Sequence, residues 1–309
     1  MNLSTKSEKN ISKTKKPLSL SSILADIGIY IFLILFLLVV LFPFYNMLII
    51  SFATNEDLIR NPFYIIPLSF TLTSYIQILN DPQMISSTLV ALHNVVTGTI
   101  MSLIITIFAA YGLSRKDLPF KRVIFYFVVF TMFFSGGLIP WYLVLQSLGF
   151  VNSIWVMTVP GMLSTFNMIL VRNYFFSLPE SLEEAARLDG AGEFVIMWRV
   201  FVPLSKPIIA TVALFYAVAF WNEWWNAMLF IQRESLLPLA LILRRVVIEN
   251  VLELGTDAVG MGMLAGVARA HPRSLQMATV AIATLPILCV YPFLQKYFTK
   301  GIMLGSIKA

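Results

Sequence analysis

The chain carries little charge for its length. Asp, Glu, Lys and Arg make up 12% of its 309 residues and apolar residues 58%, a balance that cannot be sorted into one soluble core and its polar skin. It has a single cysteine, Cys289, inside an apolar run. That excludes an intrachain disulfide and leaves cysteine usage silent on compartment. The two histidines, His93 and His271, stand alone. Without a His-x-x-x-His pair, clustered acids in a span or a histidine near Cys289, metal-dependent and cysteine-nucleophile chemistry lack their residues. No Gly-x-x-x-x-Gly-Lys-Ser/Thr loop occurs, so ATP is not expected to bind this chain. No internal repeat appears, nor any low-complexity segment beyond a Ser/Lys-rich N-terminal tail. The expectation is a protein without cofactor, metal or covalent chemistry.

What is present is apolar helix. A bilayer core takes about 20 apolar residues of helix, and six stretches qualify, near 27–50, 89–113, 123–144, 151–170, 207–227 and 275–294. Six spans put both termini on one side. Lys6, Lys9, Lys13, Lys15 and Lys16 in the tail, Arg115, Lys116, Lys121 and Arg122, then Arg172, Arg187, Arg199 and Lys206, and finally Lys296, Lys300 and Lys308 all fall on that side. The opposite loops hold Arg60, Arg233, Arg244, Arg245, Arg269 and Arg273. The positive-inside rule therefore places both ends in the cytoplasm. The apolar run from Ile27 is too long for a signal-peptide core and lacks a small-residue cleavage site, so the basic tail is expected to stay and to touch anionic lipid. A nucleic-acid partner is not expected, because the other basic residues sit in short loops between spans. The resulting frame is an all-α polytopic membrane protein with a cytoplasmic tail (1–25), a first span (26–50), an outer loop (51–88), a membrane core (89–295) and a cytoplasmic C-terminal tail (296–309). Ser135-Gly136-Gly137 and Pro140 interrupt the third span, as a packing kink or a gating hinge. Leu236–Leu243 is too short to cross, and reads as a re-entrant or surface-lying element of the outer loop 232–273.

One cytoplasmic segment, 178–203, differs from the rest. Pro179 sits where a helix can start, Ser181 with Glu184 forms a capping-box pattern, and Gly190 sits where the helix should stop. Leu182, Ala185 and Ala186 share one face of it, and Glu183 reaches Arg187 at i, i+4. Beyond Gly190 a second stretch carries Phe194, Met197, Trp198 and Phe201 on one stripe and ends at Pro203. Two short helices joined at a glycine make a hook that another protein can grip, or an amphipathic hairpin lying on the bilayer. In the fifth span, Trp221, Trp224 and Trp225 share a helical face, with Asn222, Glu223 and Asn226 beside it. That cluster reads either as an aromatic belt at the outer interface or as a polar face at a subunit seam or translocation path, where an ionisable group faces protein or water.

The pattern from Glu184-Ala185-Ala186 through Gly190 to Val200, Val202 and Pro203 resembles the coupling-loop motif of permease subunits of binding-protein-dependent ABC importers. Valines stand where that motif often has isoleucine and leucine. Ala110-Tyr111-Gly112-Leu113-Ser114-Arg115, Trp221-Asn222-Glu223-Trp224 and the run Gln295–Met303 are similar to the carbohydrate class of these permeases, in particular its six-span maltose-type subunit and a branch for oligosaccharide and polysaccharide-fragment uptake. The resemblance implies a type I importer fold and three kinds of partner: a homologous second permease, a cytosolic ATPase pair and an extracytoplasmic sugar-binding protein. It implies that Leu182, Glu184, Ala185, Ala186, Asp189, Gly190 and Pro203 serve coupling to the ATPase, with Glu184 meeting a basic residue there. It implies a seam or pathway role for Asn222, Glu223 and Asn226. The tail from Gly301 either enters between the ATPase subunits or is a solvated terminus. A self-contained secondary transporter or a membrane sensor is the alternative, and it leaves the hook unexplained.

Overall fold

The structure, a computed structural model, describes residues 20–61, 64–66, 68–253 and 271–305. The five tail lysines, residues 254–270 of the expected outer loop and the last four residues lie outside these. The chain divides into two units, residues 1–47 and 48–309. The first is α1 (Leu20–Ser51), whose last residues belong to the second unit.

The second unit begins with two short helices, α2 (Asn55–Arg60) and α3 (Thr73–Leu79). Tyr64 is buried, and its hydroxyl accepts the N–H of Leu68 at 2.8 Å. Long helix α4 (Pro82–Ser114) follows. It starts two turns before the apolar stretch does, because Asp81 accepts the N–H of Gln83 at 2.9 Å and Pro82 occupies the first helical position, where its missing N–H costs nothing. It stops at Ser114, where Arg115 turns extended and the Lys121 ammonium donates to the carbonyls of Ser114 and Arg115 at 3.1 and 2.6 Å. A cation there also suits the negative end of the helix dipole.

The third apolar stretch is broken. Helices α5 (Lys121–Phe133) and α6 (Leu138–Ser147) meet at a 111° bend, at Ser135-Gly136-Gly137, where Gly137 has φ +89°. The fourth is a pair of 3₁₀ segments over 154–161 followed by α7 (Thr165–Phe176), bent by 45°. After α8 (Glu180–Leu188), α9 (Glu193–Ile196) and α10 (Val202–Leu204) come α11 (Lys206–Trp221), α12 (Trp225–Phe230), α13 (Leu239–Glu253) and α14 (Pro272–Gly305). Among the described residues three helices are long and apolar enough to cross a bilayer, or five spans if each bent pair is one. The fold is all-α, with several apolar helices. Helix α14 contains the sixth apolar stretch.

Three apolar clusters hold the second unit, the smallest of them Ile50, Ala53, Leu58 and Tyr64, and the two larger ones position the candidate sites. One joins α4, α12, α13 and α14 through Met84, Phe230, Leu237, Leu241 and Ala278. Of the two expectations for Leu236–Leu243, the surface-lying one is corrected: Leu237, Leu239, Leu241 and Ile242 are buried, because α13 turns its apolar side onto α4 and α14. The other cluster joins the far half of α4 to α7, the hook and α11 through Ile107, Tyr111, Phe175, Ile196, Phe201 and Val212.

Polar groups staple the long helices together where water would otherwise be needed. Fully buried Asn94 donates to the Phe220 carbonyl at 3.0 Å and accepts from Thr158 at 2.7 Å. Thr106 pairs with the Tyr216 hydroxyl at 2.7 Å, and that hydroxyl accepts the N–H of Ser164 at 3.0 Å. The Phe220 ring lies on Gly98, where an added Cβ would sit 2.7 Å from ring carbons. Gly98→Val is therefore expected to part α4 from α11 at a cost of about 1–3 kcal/mol. A lower Tm of the purified protein in detergent checks this, and an unchanged Tm contradicts it.

Candidate functional site

The hook is built as two legs around one residue. Helix α8 exposes much of its surface. Its first leg ends in a glycine stop: Gly190 has φ +80°, its N–H donates to Arg187 at 3.0 Å, and the N–H of Ala191 donates to Ala186 at 2.9 Å. This 6→1, 5→2 pair is a Schellman motif, which needs a residue without a Cβ penalty at its left-handed position. The expected capping box does not form. The helix starts at Glu180 with Pro179 at its cap and no side-chain cap bond, so Ser181 lies inside its first turn and Glu184 just beyond it. An ion pair of Glu180 with Lys116 holds the earlier start, and Glu180 and Glu183 suit the positive end of the dipole.

The second leg is α9, then a π-helical turn over Met197–Phe201, then Val202 and Pro203. Ile196, Met197 and Phe201 are buried. Phe194 is mostly exposed, yet its ring lies 6.1 Å from Phe108 and 6.3 Å from Trp198. The apolar stripe thus faces the body of the protein. Of the residues expected at a coupling surface, Ala186 packs inward against the apolar cluster. Leu182, Glu184, Ala185, Asp189, Gly190 and Pro203 are exposed. Sequence reasoning missed Leu188, 89% exposed, which with Leu182 and Ala185 completes an outward apolar row at i, i+3, i+6. The spacing was readable; a leucine facing water was not.

Between the hook and the end of α4 lies an ion-pair network. Arg115, whose side chain is 13% exposed, pairs with Glu183 of α8, with Glu193 of α9 at 3.6 Å and with Asp117 at 3.4 Å. Arg187 pairs with Glu183 at 3.2 Å and also with Glu193. The Tyr111 hydroxyl donates to the second oxygen of Glu193 at 2.6 Å. Burial alone would lower the Arg115 pKa, but the Glu183 carboxylate outweighs it and holds the guanidinium above its ordinary value, so it stays charged. A cavity of about 300 Å³ opens beside the network, lined by Arg115, Lys116, Glu180, Glu183, Glu184 and Arg187 among others.

The other candidate cluster is arranged differently from the continuous helix expected for it, with the three tryptophans on one face and Asn222, Glu223 and Asn226 beside it. The helix breaks between Trp221 and Trp225, because Asn222 donates its side-chain amide to the Val218 carbonyl at 2.8 Å while Glu223 accepts the N–H of Asn226 at 2.8 Å. These bonds end α11 and start α12. The three tryptophans part company. Trp221 packs inward and donates to the Ala283 carbonyl at 3.2 Å. Trp224 lies under the Arg244 guanidinium, 3.8 Å from ring centre to Cζ. Trp225 is exposed and faces, with Asn226, a cavity of about 600 Å³ whose other wall is Ser135, Gly136, Gly137, Pro140, Trp141 and Val144. The Trp141 indole N–H points at the side-chain amide oxygen of Asn226 from 3.4 Å. Among the described residues no group of three or more His, Cys, Asp or Glu side chains is placed to hold a metal ion.

No protein-family model matches the chain. Whole-chain relatives do. It is 39% identical over 286 residues to the polygalacturonan/rhamnogalacturonan transport system permease protein YtcP of Bacillus subtilis (strain 168), covering 92% of this chain and 98% of that one. It is 40% identical over 270 residues to protein LplC of the same strain, covering 87% and 90%. It is 28% identical to the trehalose/maltose transport system permease protein MalG of Thermococcus litoralis, over 89% of this chain and 94% of that one. Among solved structures, it superposes with a TM-score of 0.83 and 30% identity on a chain of a bacterial ABC transporter involved in the import of the acidic polysaccharide alginate, covering 91% of this chain and 98% of that one.

An all-α chain of apolar helices, matched end to end by transport permeases, is the membrane component of a transporter rather than an enzyme. The chain belongs to the permease subunits of ABC-type carbohydrate importers. Membership sets aside the alternative of a self-contained carrier or sensor, and makes this a multi-pass protein of the cytoplasmic membrane that works with other subunits.

Proposed function

We propose that the chain is one of two homologous permease subunits that pass an oligosaccharide, delivered by an extracytoplasmic binding protein, through a path opened by a cytosolic ATPase pair. In this reading the chain crosses the bilayer six times with both termini in the cytoplasm. The segment 178–203 is the coupling hook. Leu182, Ala185 and Leu188 dock on the ATPase, Glu184 and Asp189 offer it carboxylates, and Gly190 and Pro203 set the hook's shape. Ala186 acts from within, joining the hook to the apolar cluster. The observation that carries the reading is the outward Leu182–Ala185–Leu188 row on a helix whose opposite side is pinned by Arg115, Arg187 and Glu193. Apolar side chains held rigidly in water at the inner face suit a protein partner.

Trp141, Trp225 and Asn226 line the path, and Asn222 and Glu223 hold the broken helix at its seam with the second permease. Sugar rings pair well with flat aromatic faces beside an amide. The named cargo of YtcP and of the alginate transporter is acidic, so a uronate-containing oligosaccharide is the first substrate to test. ATP-dependent uptake of a labelled oligogalacturonide should exceed that of a neutral oligosaccharide of equal length in cells carrying the whole transporter. Trp141→Ala, removing about 1–1.5 kcal/mol of ring contact, should reduce that uptake about tenfold with the ATPase still bound. Equal uptake by Trp141→Ala and wild type would remove Trp141 from the path.

A further inference from the structure

The ion-pair network at the base of the hook has a geometry that docking alone does not require. The hook is joined through the backbone to α7 on one side and, by way of α10, to α11 on the other. Its link to α4 is noncovalent: apolar contacts of Phe108 and Tyr111 with Phe194, Trp198 and Phe201, and a set of ion pairs that centres on Arg115. This one guanidinium sits at the end of α4 and reaches both legs, Glu183 on α8 and Glu193 on α9. Arg187 ties the same two carboxylates to each other, and Tyr111, one turn back on α4, donates to Glu193 at 2.6 Å. Arg115 is mostly buried, and Glu183 is only 21% exposed, so that pair is partly shielded from water and salt, while Glu193 and Arg187 are about half exposed. A planar guanidinium that bonds one carboxylate, Glu183, and holds a second, Glu193, in ion-pair range at 3.6 Å constrains orientation as well as distance.

We infer that Arg115 is a positioning residue for transport: it locks both legs of the hook to the cytoplasmic end of α4, so that displacement of the hook by its ATPase moves α4 with it. Tyr111 and Glu193 brace the lock. The inference rests on the hook being the docking element, and it adds what the docked hook pulls on. Arg115 itself need not touch the ATPase.

The test uses the complete transporter in proteoliposomes, with Arg115→Met, Arg115→Lys, Glu183→Gln and the double variant Arg115→Met/Glu183→Gln. Three quantities are read: ATPase retained on the permease, sugar taken up, and ATP hydrolysed per sugar. With Arg115→Met the ATPase stays bound, uptake falls about tenfold or more, and ATP spent per sugar rises by a similar factor. Arg115→Lys, which keeps the charge but loses the planar guanidinium, recovers only part. The double variant falls little further than either single one, because both break one unit. Wild-type ATP cost per sugar in Arg115→Met would overturn the inference. Loss of the ATPase from wild type would instead sink the docking reading beneath it.

Should Arg115→Met fail to assemble, spin labels at exposed Ile104 of α4 and Ser181 of α8 provide a second reading on an otherwise wild-type transporter. A locked hook gives one narrow distance distribution, equal with and without ATP. A distance that changes between the two states would show the hook pivoting on α4, and the lock would be excluded.

Discussion

Replacing Gly190 with valine should cut uptake about tenfold or more while the chain still inserts and folds. Gly190 holds φ +80° with open space around its missing Cβ, so the effect is conformational rather than steric. A left-handed residue with a side chain costs about 1–2 kcal/mol, and β-branching puts valine at the unfavourable end. A change of 1.4 kcal/mol is about tenfold in the population of a conformer, here the one in which α8 stops and the chain turns into α9. Gly190→Asn, which tolerates the left-handed region, should retain most uptake. Gly190→Asp adds a charge at the docking surface and should lose more than asparagine does. Uptake that is equal for Val, Asn and Asp would show that the turn does not set the hook.

Replacing Leu188 with aspartate should weaken ATPase binding more than any other single change in the hook. A leucine that is 89% exposed in the isolated chain and becomes covered on docking contributes about 2–3 kcal/mol, so its loss alone lowers affinity about a hundredfold. The carboxylate adds the cost of removing a charge from water without a partner. Ala186→Ser, on the inward side, should leave ATPase affinity close to wild type. The check is titration of the purified ATPase onto permease in nanodiscs. Similar affinities for Leu188→Asp and wild type would move the docking surface off α8.

Much of the hook was legible in the sequence because its determinants are local. Gly190 marks a stop, Glu183 and Arg187 are four apart, and apolar positions recur at helical spacing, so two short helices and their joint follow from neighbouring residues. The network at its base was not legible. Arg115 lies far from Glu183 and Glu193 along the chain, and only the packing of α4 against the hook brings them together. Of that constellation, sequence spacing held just the Glu183–Arg187 pair.

The spans show the same division. Ser135-Gly136-Gly137 announced the break between α5 and α6 through residues that abandon helix easily. The break at Asn222–Trp224 has no glycine or proline. It is made by two side chains that satisfy backbone groups on either side, and a continuous tryptophan face was the natural expectation without them. The burial of Leu237, Leu239, Leu241 and Ile242 was hidden for a similar reason. A short apolar run reads alike on a bilayer surface and inside a helical core, and α4 and α14 decide which.

The central claim is that a soluble ATPase grips the outward row of α8. It is tested most directly by placing a photo-crosslinker at exposed Ser181, beside the row, in a chain with Cys289→Ala and Ser181→Cys that keeps Leu182, Ala185 and Leu188, in native membranes with and without ATP. Sequencing of the cross-linked peptide is expected to return a segment of a cytosolic ATPase, joined in a nucleotide-dependent yield. Adducts to lipid or to this chain alone would contradict the claim, and would leave the hook as a hairpin lying on the membrane.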